Sequence, residues 1–158
     1  MKIEIREMPA IRCLAVRHVG PFPTIGAAFG KLFQHISENK VEHGPALGFF
    51  HSDPHVIPPE ELQSDAAVIL PEGAQGPNLG REPHEGEFHT VEVDAAKYAV
   101  WTHTGSYEGL PGAWNNFMRA FEEGGHAGVQ GKCFEIYVSE MGTVPDDQLI
   151  TELYLPVA

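Results

Sequence analysis

Apolar residues along this chain follow a short period, then a longer one, and then the whole pattern starts again. Ile3 and Ile5 alternate with charged neighbours, Met8-Pro9-Ala10 reads as a turn, and Ile11 to Val19 reads as a second strand that closes on Gly20-Pro21, so a β-hairpin is predicted. After Pro23 the period lengthens. Ile25, Ala28, Phe29, Leu32, Phe33 and Ile36 fall on one helix face, with Thr24 placed to cap it. Gly44-Pro45 ends the connection, Ala46 to His51 is a short strand, the Pro54 to Pro59 region is a loop, and Ala66 to Leu70 is a strand stopped by Pro71. One module therefore reads strand, strand, helix, strand, strand. Residues 72–87 are rich in Gly, Pro and charge and carry no apolar period, which predicts a connecting loop.

The same order then recurs. Phe88 to Val93 and Lys97 to Thr104 repeat the hairpin, and at an offset of 85 Ala10 meets Ala95, Arg12 meets Lys97, His18 meets His103, Gly20 meets Gly105 and Phe22 meets Tyr107. Leu110, Ala113, Trp114, Phe117, Met118 and Phe121 match the first helix's apolar face one for one at that offset. At an offset of 87, Gly44 meets Gly131, Phe50 meets Tyr137, Ser52 meets Ser139, Pro58 meets Pro145, Leu62 meets Leu149 and Asp65 meets Glu152. Shared helical faces and turn glycines with one small change of offset identify an internal duplication. The expected domain is a single one over 1–158, with repeats 1–71 and 88–158 joined by loop 72–87. Its fold class is α+β: two pseudo-twofold-related β-β-α-β-β modules with antiparallel sheets and a groove between them. Phe29, Leu32, Ile36, Trp114, Phe117 and Phe121 are the predicted helix-borne core.

One stretch breaks the apolar logic. In Cys133-Phe134-Glu135-Ile136-Tyr137-Val138, alternation sends Phe134, Ile136 and Val138 to one face and Cys133, Glu135, Tyr137 and Ser139 to the other. Two readings of Glu135 stand at this point: an ordinary solvated side chain on a wet face, or a carboxylate in a concavity whose pKa rises as it loses water. With the apolar face assigned to the helix, Glu135 is expected to face away from the helix and into the groove. Its repeat partner is Gly48, so one half would supply charge and the other room.

Composition narrows the function classes. A chain of 158 residues with 42% hydrophobic content holds a core without a disulfide scaffold, and Cys13 and Cys133 show no metal or redox spacing. No run approaches roughly 18 apolar residues, so a cytoplasmic protein without a membrane segment is expected. A net charge of −12 and a pI near 5.0 oppose binding to a phosphate backbone. Nine histidines invite a metal reading, but Pro54 inside His51-Ser-Asp-Pro-His55 breaks the helical ligand spacing, and no metal site is expected. His84 and His89 fall in or beside the linker, where a solvated role is the default. His18 and His103, being repeat equivalents, read as structural groups at the strand-to-turn corner. Cys133 reads as an inert thiol and Trp114 as core. No Gly-rich phosphate loop follows a strand, and no cofactor is expected.

Cys-Phe-Glu-Ile-Tyr at 133–137, Val-Gly-Pro-Phe at 19–22, Gly-Phe-Phe-His-Ser-Asp-Pro at 48–54 and Thr-Glu-Leu-Tyr-Leu-Pro-Val at 151–157 resemble the GyrI-like, or bacterial effector-binding, superfamily over essentially the whole chain. That family includes ligand-sensing domains of AraC-type and multidrug-responsive MerR-type regulators, standalone relatives of a DNA gyrase inhibitor, and small hydrolases. The resemblance implies Glu135 as the ligand-contacting carboxylate, and Tyr137 and Tyr154 match motif positions. Trp101, Tyr107, Phe50 and Gly48 join the candidate ligand-binding set from the strand and repeat reading. Regulators of the family carry a helix-turn-helix segment ahead of this module; here the module begins within the first few residues, so a regulatory role is expected to act through a partner.

Three functions follow. The first is a small-molecule binding protein holding a cationic or polar aromatic ligand by Glu135 and aromatic rings. The second is a hydrolase with Glu135 as general base. The third is a gyrase-inhibitor-like module whose acidic surface docks on a protein partner.

Overall fold

The computed structural model describes residues 3–128, 131–139 and 142–158. Among the described residues, eight strands and two α-helices run in the order β1 (Glu4–Met8), β2 (Ile11–Val19), α1 (Gly26–Asn39), β3 (Ala46–Phe50), β4 (Gln63–Ile69), β5 (Phe88–Val93), β6 (Ala96–Thr104), α2 (Leu110–Glu123), β7 (Cys133–Tyr137) and β8 (Ile150–Pro156). The class is α+β with antiparallel pairing. No helix among the described residues is long and apolar enough to cross a membrane.

The repeat shows in the short turns as well as in the long elements. A 3₁₀ turn precedes each helix, Phe22–Thr24 and Tyr107–Gly109, and another precedes the last strand of each copy, Pro59–Glu61 and Asp146–Gln148. Gly20 and Gly105 take φ of 132° and 137°, a conformation open to glycine, and their N–H groups donate to Leu62 and Leu149 carbonyls, each at 2.8 Å. Thr24 is not the helix cap. Its hydroxyl donates to the Pro21 carbonyl at 2.6 Å inside the 3₁₀ turn, and α1 starts two residues later. The linker 72–87 contains turns and no strand or helix.

Two compact units result: unit I is Ala10–Asp94, and unit II is Met1–Pro9 with Ala95–Ala158. In unit I the strand order is β3-β4-β2-β5, and in unit II it is β1-β6-β8-β7. Neither predicted hairpin forms. β1 pairs with β6 (Glu4↔Val100 to Met8↔Ala96), and β5 pairs with β2 (Ile11↔Val93 to Val16↔Phe88), so each repeat's first strand lies in the other repeat's unit. The reason is local. Two-residue hairpin loops favour primed turns, which need positive φ. Pro9-Ala10 and Asp94-Ala95 offer no glycine, proline is fixed near φ −65°, and the described non-glycine residues with positive φ reduce to Lys40.

In unit I, Leu14, Val16, Ala66 and Val68 pack against Ala28, Leu32 and Ile36 of α1; in unit II, Ala99, Trp101, Leu153 and Leu155 pack against Ala113, Phe117 and Phe121 of α2. Each large side chain so buried contributes about 1.5–3 kcal/mol. The buried stripe is narrower than predicted, and in the same way in both helices. Phe29 and its equivalent Trp114 are half-buried, while Phe33 and Met118 are 42% and 41% exposed.

Candidate functional site

Glu135 sits in the middle of β7, directly opposite Leu153 of β8, and is 3% exposed. Both carboxylate oxygens are engaged: Trp114 Nε1 of α2 donates to Oε2 at 2.7 Å, and the Tyr137 hydroxyl donates to Oε1 at 2.7 Å. This corrects the expected facing, because Glu135 points towards α2. Alternation separates the two faces of β7 but cannot say which one a helix covers, and here both are covered. The Phe134 face is filled by rings, with Tyr154 stacked at 4.8 Å and Tyr98 edge-on at 5.2 Å. The Glu135 face is left for the helix.

Burial raises the Glu135 carboxyl above its usual range, and the hydrogen bonds from Tyr137 and Trp114, with the field of His103, only partly restore it. Burial and the neighbouring carboxylate together push the Tyr137 hydroxyl well up, and Tyr107 is raised by burial, then by Glu135 and Asp146. The Tyr107 ring lies 5.4 Å from Tyr137, and its hydroxyl is 3.5 Å from the Ser139 carbonyl. His103 faces the same side, tied through Nε2 to the Ser106 carbonyl at 3.0 Å. His18 Nε2 makes the equivalent contact with the Pro21 carbonyl at 3.1 Å, as the corner reading of this pair predicts.

The other predicted site residues are dispersed. Tyr154 is 2% exposed and faces away from Glu135; its hydroxyl belongs to a network with Arg6 Nη1 and Glu152 at 2.9 Å each. Trp101 shares the Glu135 face but is 8% exposed and stacked on Phe117 at 5.8 Å, which makes it core under α2. Phe50 and Gly48 belong to unit I, Phe50 edge-on to Phe22 at 4.9 Å and Gly48 buried opposite Ala66. Trp114, read from the sequence as core, does pack against the unit II core, 5.8 Å from Phe117, and in addition donates to Glu135. A signal existed, since an indole N–H on a helix stripe needs a partner.

A second polar cluster lies in unit I and escaped the sequence reading. Asp65, 0% exposed, accepts from His51 Nε2 at 2.6 Å, His89 Nε2 at 2.7 Å and Arg17 Nε at 3.2 Å. His89, expected to be solvated, is therefore a partner of Asp65 with its side chain 12% exposed. Burial alone would raise Asp65, but the two imidazoles outweigh it and hold the carboxyl below the usual range. Among the described residues no group of three ligating side chains is arranged to hold a metal. Burial raises both thiols, Cys13 to about 12, which keeps them protonated. Two buried hydroxyls, Ser64 Oγ and Thr151 Oγ1, have no hydrogen-bond partner among the described residues. An unmade bond of that kind costs about 1–3 kcal/mol.

The model of the GyrI-like small molecule binding domain matches residues 1–158. This chain belongs to the GyrI-like family. As a GyrI-like protein it is 28% identical over 167 residues to a DNA gyrase inhibitor of Erwinia billingiae (strain Eb661), covering all of this chain and 98% of that one. Its fold is also that of the EcmrR C-terminal domain. The match to EcmrR in a complex with DNA has a TM-score of 0.78 at 16% identity and covers 99% of this chain but 57% of that one. The match to the EcmrR C-terminal domain alone has a TM-score of 0.74 and covers 97% of it. The GyrI-like fold recurs in SAV2435 bound to tetraphenylphosphonium, with a TM-score of 0.64, 13% identity, and coverage of 100% and 94%.

Proposed function

We propose that this small-molecule binding domain takes an aromatic cation at Glu135, with Tyr137, Tyr107 and Trp114 supplying ring faces. One observation carries the reading. Glu135 is desolvated, yet its hydrogen-bond donors, the Trp114 indole and the Tyr137 hydroxyl, are both neutral, and among the described residues no Lys or Arg pairs with it. A buried carboxylate with no Lys or Arg beside it, opposed only by the field of His103, is costly until a cation arrives. The surrounding rings add cation–π attraction of about 0.5–2 kcal/mol each. Trp114, Tyr107 and Tyr137 are half-buried, so their exposed edges are the surface a ligand meets first. A fold-neighbour bound to tetraphenylphosphonium supports the same ligand class.

Calorimetric titration of tetraphenylphosphonium and the neutral triphenylphosphine oxide against wild type and Glu135→Gln tests it. Cation affinity is expected to fall at least about tenfold, roughly 1.4 kcal/mol, with little change for the neutral compound. Equal losses for both would reject charge pairing. Turnover of an electrophilic ester by wild type, abolished by the same substitution, would favour the hydrolase. The curated gyrase-inhibitor relative and the net charge of −12 favour a second reading, an acidic surface that docks on a basic protein; capture of purified gyrase that is unchanged in Glu135→Gln would support it.

A further inference from the structure

The two unpartnered hydroxyls occupy the same place in the duplication. Ser64 and Thr151 are 87 residues apart, both are 0% exposed, and both lie on the helix-facing side of the last strand of their copy, in line with Ala66 and Val68 in unit I and with Leu153 and Leu155 in unit II. Their neighbours correspond as well. Ser64 lies opposite His18 on one side and Phe50 on the other, and Thr151 lies opposite His103 and Tyr137. Phe22 packs on Phe50 as Tyr107 packs on Tyr137, at 4.9 and 5.4 Å between ring centres. Each unit thus holds one constellation of histidine, hydroxyl and two rings. What differs is charge and polarity: unit II adds Glu135 and two phenols, while unit I has Gly48 and two phenyl rings at those positions.

The histidines do not satisfy the hydroxyls: their Nε2 atoms contact the Pro21 and Ser106 carbonyls, and neither imidazole is hydrogen-bonded to Ser64 or Thr151. Nor does this fold leave buried polar groups unpaired in general, since Asp65, equally inaccessible, has three donors. A hydroxyl left open at one position in both copies marks a place where the bonding partner comes from outside the chain.

We propose that this position is the polar contact of a ligand subsite present once in each unit. In unit II, Thr151 bonds a hydroxyl or amino substituent of the aromatic cation held at Glu135, a step that rests on the function proposed above. In unit I, Ser64 bonds a neutral aromatic alcohol or amine between Phe22 and Phe50. Both oxygens are closed off in this structure, and the ring directly across the strand pair is the last residue of its strand, Phe50 of β3 or Tyr137 of β7, so that ring turns aside to admit the ligand.

Two acridine cations of one shape separate the contacts in unit II: proflavine, which carries two amino groups, and 10-methylacridinium, which carries no donor. Thr151→Val is expected to lose about tenfold in proflavine affinity and less than about twofold for 10-methylacridinium, while Thr151→Ser keeps both. Thermal melting should show Thr151→Val at least as stable as wild type, because no existing bond is removed and the volume is kept, and Thr151→Ser slightly less stable for its lost buried methyl. Unchanged proflavine binding, or equal losses for the two cations, overturns the Thr151 contact. Failure of Glu135→Gln to weaken 10-methylacridinium overturns the charge reading instead, so the two failures are distinct. For unit I, Ser64→Ala is expected to weaken 2-naphthol about tenfold while Glu135→Gln leaves it unchanged. Loss of 2-naphthol in Glu135→Gln, or none in Ser64→Ala, overturns the second subsite.

Discussion

At the scale of single residues, two buried carboxylates are handled in opposite ways, and stability should show it. Asp65 is held below its usual range by His51 and His89, so its contribution is present above the unfolded carboxylate pKa and is lost as pH falls through the depressed folded value. Asp65→Asn also removes the buried carboxylate from the Arg17 guanidinium, which is 4% exposed and keeps Gln63 and Glu82, and is expected to cost about 3 kcal/mol near neutral pH in urea denaturation, with the difference from wild type shrinking in strong acid. Glu135 has the opposite sign. Its pKa is raised by burial, so stability is highest below the unfolded value and falls as pH rises through the raised folded value. Melting temperatures taken from about pH 4 to about pH 8 should therefore decline for wild type and stay flatter for Glu135→Gln. The same slope in both would mean that Glu135 is not the group responsible.

Among the elements, the exchanged strands are the departure that most needs explaining. β1 and β5 read correctly as strands because alternation is local, but pairing is a choice between partners, and the two-residue joints at Pro9-Ala10 and Asp94-Ala95 decide it by excluding the tight turn. Arg6 reinforces the choice in unit II, reaching across β6 to Glu152 and the Tyr154 hydroxyl on β8. Replacing Pro9-Ala10 with Asn-Gly offers β1 a hairpin with β2 that competes with its place beside β6. The double variant is expected to melt lower and to lose hydrogen-exchange protection along β1, although no side chain in either core is touched. Unchanged protection would show that the joint has no part in selecting the partner.

For the whole molecule, the repeat boundary and the structural boundary differ. Residues 1–71 contain one sequence repeat, but β2 then lacks its neighbour β5, whereas Ala10–Asp94 contains all four strands of unit I, its helix and the loop tied down by Arg12 to the Ala74 carbonyl and by Arg17 to Glu82. The fragment 10–94 is therefore expected to retain more secondary structure by circular dichroism than the fragment 1–71. The reverse result would mean that the duplicated unit, and not the strand-exchanged one, is the folding unit.

The sequence by itself determined the elements, their order, the duplication and the presence of a carboxylate, Glu135, inside a strand that is otherwise apolar on one face. Periods of 2 and 3.6 and the turn glycines are properties of neighbouring residues, and Gly20 and Gly105 take the backbone conformation that only their lack of a Cβ makes easy. Helix-borne Leu32, Ile36, Phe117 and Phe121 are buried for the same reason. Only the tertiary structure decided which strands pair, which face of β7 the helix covers, that Trp114 holds Glu135, that Tyr154 turns away from it, and that His51 and His89 meet on Asp65. Each of these joins residues distant in sequence: 21 positions for Trp114 and Glu135, 24 for His89 and Asp65, with nothing local to link the pair. Their geometry follows from how strands line up and helices lie across them, and a period along the chain carries no record of that.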